Sequence, residues 1–146
     1  MSKETPDHHD AELVWKVYDL RREPVMRQSR DAITTKFWPK SYEELVAVTK
    51  WDHPLNQAYR QTSSYWEMVY GMAARGIVNA DYLIENNGEG LFLYAKVLPF
   101  LEQLRKEINP LAFKNAEWIA TQCEEGRKRF AIIQGRVKKM AESMAK

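Results

Sequence analysis

Three groups of side chains in this 146-residue chain are of types that can do chemistry. The first is Asp7-His8-His9-Asp10, four ligand-type residues in a row. A helix grips a metal between side chains one turn apart, and adjacent histidines lack that i, i+4 geometry. No Glu or second histidine pair answers them, so a solvated N-terminal cap explains the cluster better than a metal site. His53, the remaining histidine, precedes Pro54 and reads as a loop or helix-capping residue. The second group is the lone Cys123, which falls on an apolar seam where a thiol is usually an inert small hydrophobe. The third is Glu67, between Trp66 and Met68 on a largely apolar helix. A buried carboxylate must be paired or have its pKa raised. Arg21, Arg75 and Arg105 are the candidate partners in a buried polar network. Two accounts stay open: an ion pair holding helices in register, or an acid in an interhelical pocket that binds or transforms a small molecule.

Other catalytic signatures are missing. There is no Gly-x-Ser-x-Gly elbow, phosphate loop or dinucleotide-binding glycine pattern, and Gly88-Glu89-Gly90 is too short to cradle a phosphate. No catalytic residue, cofactor or metal is assigned, and a non-enzymatic role is expected. One cysteine cannot form an internal disulfide, which suits a reducing compartment. The longest apolar run, Leu91 to Leu101, is interrupted by Lys96 and contains Pro99. It falls well short of the roughly eighteen residues that would span a bilayer. The N-terminus lacks the apolar core of a secretory signal, so the cytoplasm is the expected location.

The elements that must position these residues are helices. Spacing of three and four residues runs from Asp10 through Leu13, Val17 and Leu20, with Val14 and Tyr18 beside that stripe. Pro24 suits the first position of a second helix, which Trp38-Pro39 ends. Ser41 and Glu44 form a capping box for a short helix. Pro54 opens a longer helix with a buried stripe at Leu55, Tyr59, Trp66, Val69, Tyr70 and Ala73, stopped by Gly76. Asn79 and Asp81 start another short helix, which Asn86-Asn87-Gly88 stops. Residues 90–108 are helical again, with a kink expected at Pro99. Asn109-Pro110 launches the last helix. No strand pattern, internal repeat or low-complexity tract interrupts this series. The 12% of aromatic residues fall mostly on these apolar faces, where core packing explains them. The fold expected is all-α: a single-domain bundle of about six or seven helices, with a long C-terminal helix. Its parts are a flexible N-terminus (1–10), a helical domain (11–126) and a basic amphipathic C-terminal helix (127–146).

That C-terminal helix carries a heptad seam: Ala116, Ile119, Cys123, Gly126, Phe130, Ile133, Val137, Met140 and Met144, without a slip. Unbroken from Pro110 to Ser143, it would be roughly 50 Å long, against a domain diameter of roughly 30 Å. Gly126 is the weak point where it could divide in two. Residues 127–146 hold seven basic side chains and one acidic, a net of +6, while the rest of the chain carries −4. The flanking positions Gln122, Arg129, Arg136 and Ser143 meet no acidic complement at Ala120, Arg127, Gln134 and Ala141. Parallel self-pairing would therefore gain nothing from salt bridges, and antiparallel pairing or packing on the body is favoured. The expected role is an interaction or self-assembly module. Phe130, Ile133, Val137, Met140 and Met144 form its candidate interface to a second copy or a protein partner. Polyanion binding by the basic tail is an alternative, although no nucleic-acid-reading motif accompanies it and nucleic acid is not the expected partner.

Several segments, in order, resemble a bacterial family of uncharacterised helical proteins. They are Tyr18-Asp19-Leu20-Arg21-Arg22-Glu23-Pro24-Val25-Met26-Arg27, Tyr65-Trp66-Glu67-Met68, Arg75-Gly76-Ile77-Val78, Asn87-Gly88-Glu89, Pro99-Phe100-Leu101-Glu102-Gln103-Leu104-Arg105 and Asn109-Pro110. The resemblance is to domain-of-unknown-function family 4760 and covers roughly residues 13 to 120. It implies an all-helical domain and, for many relatives, N-terminal membrane spans; no such span is expected from this sequence. It implies no reaction, ligand or catalytic residue.

Overall fold

In the computed structural model, which describes residues 3–145, each helix begins or ends at a residue whose chemistry explains the boundary. α1 (His8–Arg21) starts at Asp7, and Asp10 answers it across a full capping box. Of the N-terminal segment 1–10, residues 1 and 2 lie outside the described residues, and residues 3–10 are tied to the body by this cap and by Asp10. The Asp10 side chain is fully buried and accepts hydrogen bonds from the Asn79 N–H (3.2 Å), the Asp7 N–H (2.8 Å) and the Lys3 ammonium (3.1 Å). The Lys3 carbonyl in turn accepts from the Asn79 side-chain amide at 2.8 Å. Val14 and Val17 face the core, while Tyr18 and Leu20 stay exposed.

α2 (Pro24–Lys36) has Pro24 in its first turn, and the Glu23 carboxylate accepts from the Met26 N–H at 2.9 Å. α3 (Tyr42–Val48) is capped by Ser41, whose hydroxyl accepts from the Glu44 N–H at 3.1 Å. Glu44 reaches back one residue further than a capping box requires, to the Lys40 N–H at 2.7 Å. α4 (Asn56–Ala74) ends in a Schellman motif at Gly76, whose φ of 74° only glycine adopts freely. There the Gly76 N–H donates to the Ala73 carbonyl and the Ile77 N–H to the Met72 carbonyl, at 3.0 and 2.8 Å. α5 (Ala80–Asn86) is capped by Asn79.

Two of the expected helices, residues 90–108 and the last one, are each divided, which raises the count among the described residues to nine. Pro99 does more than kink its helix. It separates α6 (Gly90–Val97) from α7 (Leu101–Glu107) by a single 3₁₀ turn, Leu98–Phe100. The C-terminal helix divides into α8 (Lys114–Gln122) and α9 (Glu124–Met144). The break falls at Cys123, which is extended (φ −98°, ψ 127°), three residues before Gly126. Glu124 and Glu125 favour a helix start immediately after it.

α4 runs through the middle of the bundle, with α2 and α8 on its flanks, and α6 lies beneath α8 and α9. The core gathers where these meet, around Phe37, Tyr59, Trp66, Tyr70, Leu91 and Ile119. Trp15 and Trp51 are exceptions among the aromatics and stand in solvent. Among the described residues no helix is long and apolar enough to cross a membrane.

Asp10→Ala is expected to destabilise the protein by about 2–3 kcal/mol, because it strands the buried Asn79 N–H and removes the acceptor of the Asp7 N–H. Urea unfolding measures this; a midpoint within error of wild type would mean that the N-terminal anchor contributes nothing.

Candidate functional site

Glu67 sits on α4 facing the start of α8, and its partners there are backbone donors. One carboxylate oxygen accepts from the Asn115 N–H and the other from the Ala116 N–H, each at 2.9 Å. The Asn115 side-chain amide donates to the Glu67 carbonyl at 3.0 Å. The reason lies one residue upstream. Phe113, the residue before α8, is left-handed (φ 57°, ψ 25°) and offers no capping side chain. A helix start leaves its first N–H groups open, and a carboxylate is the favoured acceptor there. Burial pushes the Glu67 pKa upward, against the opposing pull of the two N–H groups and the charge of Arg105.

None of the three arginines closes an ion pair with Glu67. Arg105 pairs instead with Glu117 at 2.7 Å and donates to the Ala112 carbonyl at 2.9 Å, acting on Glu67 only through its field. Arg21 lies over the Tyr18 ring, 5.2 Å from its centroid. Arg75 is exposed at the end of α4. The expected four-residue network is corrected to an interhelical cap. A cleft of about 580 Å³ does open beside Glu67, lined by Arg60, Ser63, Ser64 and the loop before α8. Both carboxylate oxygens are already engaged by α8.

The Asp7–Asp10 cluster is likewise structural. His8 is exposed and lies 2.9 Å from Glu12, while Asp10 is turned inward. Among the described residues no group of three His, Cys, Asp or Glu side chains converges. Cys123 is buried, and burial, reinforced by its bond to the Asp81 carboxylate (3.2 Å), pushes its thiol up to about 12.

Lys96 is the residue that sequence reasoning passed over. Its side chain is buried, and its ammonium donates to the Ile33 carbonyl at 2.8 Å and the Thr34 carbonyl at 3.4 Å. Those are open carbonyls of the last turn of α2, where a cation is favoured. Aromatic faces surround it, with the Trp38 centroid at 3.7 Å and the Phe92 centroid at 4.6 Å. Against these attractions, burial pulls its pKa from 10.5 down to about 7. The available signal was a single charge in an otherwise apolar run, four residues after Phe92.

The candidate interface divides in two. Phe130 and Ile133 are half-buried against the core, and Phe130 meets Tyr94 at 5.3 Å between centroids. Val137 is half-buried, whereas Met140 and Met144 are 37% and 49% exposed on turns that leave the body. Beside α9 a cleft of about 480 Å³ is flanked by Arg129, Arg136, Ile132 and Phe92. Its far wall holds Glu89, which is paired with Arg30.

The model of a family described as a domain of unknown function, DUF4760, matches residues 6–123. The chain belongs to that family. The DUF4760 region ends at Cys123, the joint between α8 and α9, so the helix carrying the exposed seam lies outside it. Glu67, Lys96 and their partner helices all lie within it. No curated protein and no solved structure matches the chain.

Glu67→Ala is expected to cost about 1–2 kcal/mol, the worth of a helix cap, with a smaller loss in Glu67→Gln, which keeps one acceptor. Thermal melts of both variants measure this; two unchanged melting temperatures would remove the cap. For Lys96, the folded pKa lies below the unfolded value, so between about pH 7 and pH 10.5 the unfolded chain binds the extra proton. Stability relative to Lys96→Met should therefore rise with pH across that window. A flat difference would mean that the ammonium stays charged in the folded protein.

Proposed function

We propose that this protein is a non-enzymatic helical module of the bacterial cytoplasm that self-associates through its C-terminal helix. The observation that carries the reading is the course of α9. Its first turns pack on the DUF4760 body, and its last turns leave seam residues Met140 and Met144 37% and 49% exposed and outside the hydrophobic core cluster. An amphipathic helix that continues past its own core is a surface for another helix. The free, buried thiol of Cys123 accords with a reducing compartment. The rival pocket beside Glu67 is weakened as a reactive site because α8 uses both oxygens of its one buried acid.

Charge shapes the association as well. Arg136, Lys138 and Lys139 form no ion pair among the described residues, in contrast to Lys128 and Arg129. Two such helices side by side repel most at low salt, so pairing should strengthen as salt screens them.

Light scattering across a concentration series, at low and moderate salt, tests the reading. A species of at least twice the monomer mass is expected, and a synthetic peptide of residues 124–146 should lower that mass by competition. A monomer throughout the series would overturn it.

A further inference from the structure

We infer that the joint at Cys123 is a hinge, and that two copies exchange α9 by straightening it. This inference rests on the self-association reading and specifies how it occurs. The heptad register runs from Ala116 to Met144 through the break without a slip, although the chain turns there. A register that only served two separate helices would have no reason to stay in phase across a joint. The joint is one residue long: α8 ends at Gln122 and α9 begins at Glu124. At this joint the intrahelical ladder is interrupted, so the last carbonyls of α8 and the first N–H groups of α9 depend on partners outside it: the Glu125 N–H donates to Asp81, and the Thr121 carbonyl accepts from the Arg127 guanidinium at 3.3 Å. In one continuous helix those groups satisfy each other.

Besides the Arg127–Thr121 contact, two features hold the bent form. The Asp81 carboxylate on α5 accepts from the Glu125 N–H at 3.0 Å and from the Cys123 thiol at 3.2 Å. Gly126 lies flat against the end of α8, so close that a Cβ there would stand 2.0 Å from the Ile119 carbonyl oxygen. Only glycine fits the bend. In a continuous helix the same position lies in the interior, where Ala is the better residue.

Straightened, residues 114–144 form one helix about 46 Å long at 1.5 Å per residue. Its α9 half then leaves the seat formed by α5, α6 and α8 of its own body. A second copy offers the same seat, so Phe130 and Ile133 regain their contacts there and the two long helices cross antiparallel. Exchange of an identical element re-forms every contact of the closed form except those at the hinge. The charges flanking the seam, which lack complements for parallel pairing, raise no objection to this arrangement.

The test is Gly126→Ala, measured by light scattering and small-angle X-ray scattering. The added methyl blocks the bend and favours the continuous helix, so the expected product is a folded dimer with a longer maximum dimension than two closed monomers packed side by side. A folded monomer, or a compact dimer of closed chains, would overturn the exchange. Should Gly126→Ala fail to fold, Asp81→Ala decides, since it releases the bend without adding an atom. A rise in dimer fraction supports the hinge, and a fraction equal to wild type sinks it. A wild-type dimer beside monomeric variants would leave self-association standing and remove only the exchange. A wild-type monomer would remove both, even beside a dimeric Gly126→Ala.

Discussion

Every helix end leaves up to four N–H or carbonyl groups without a partner, and a bundle made of short helices has many such ends close to its core. This protein meets that constraint with side chains sent from other elements. Glu67 on α4 closes the start of α8, Lys96 on α6 closes the end of α2, and Asp81 on α5 holds the start of α9. Asn56 donates to the Val48 carbonyl at the end of α3 at 2.9 Å, and Arg105 to the Ala112 carbonyl ahead of α8. Isolated helices under about twelve residues are marginal in water. Each of these long-range caps therefore does two things at once: it completes a helix and fixes where that helix lies. Apolar burial supplies the driving force for collapse, but it has no direction. The caps supply the direction.

Charge inside the core follows from the same constraint. Glu67 and Lys96 are both pulled toward neutrality by burial, which raises one pKa and lowers the other. Neither has an ion-pair partner; each faces a helix terminus of opposite partial charge. Apolar replacements of such groups often hold a core together equally well, so their value lies in specifying one arrangement among several. Lys96 shows how narrow that arrangement is. Its ammonium must reach two carbonyls of α2 while lying over the rings of Trp38 and Phe92, which ties α6, α2 and the loop after α2 to one geometry.

Local signals were legible in the sequence wherever one residue decides a boundary. Pro24 at a helix start, Ser41 as a cap, Gly76 as a stop and Asn79 as a cap all act within a few residues of themselves. The all-helical class and the long seam followed from periodicity. What was not legible is whatever a distant element decides. Glu67 was recognised as a carboxylate in need of partners, but arginines were the only partners a sequence could suggest. Backbone donors at a helix start 48 residues away leave no mark on composition. Whether the last helix divides was left open by the sequence, which marked Gly126 as its weak point because glycine is a weak helix former; the break falls at Cys123. The glycine is there for close approach, and the bend falls where two glutamates can begin a new helix. Asp10 was read as part of a frayed start, because its partner Asn79 lies 69 residues downstream.

Phe113 shows how such a fold limits the variation it can accept. It is the one non-glycine residue with positive φ among the described residues, and it is also buried, its ring between Tyr59 and Tyr94 at 6.4 Å from each. The left-handed backbone costs a bulky side chain about 1–2 kcal/mol, which glycine would relieve. Removing a buried Phe ring costs about 3–5 kcal/mol, so packing outweighs strain by a clear margin. Backbone and core make opposite demands on one position, and no amino acid meets both. Residue 113 is accordingly expected to tolerate large aromatic side chains best, each of them under the same backbone strain.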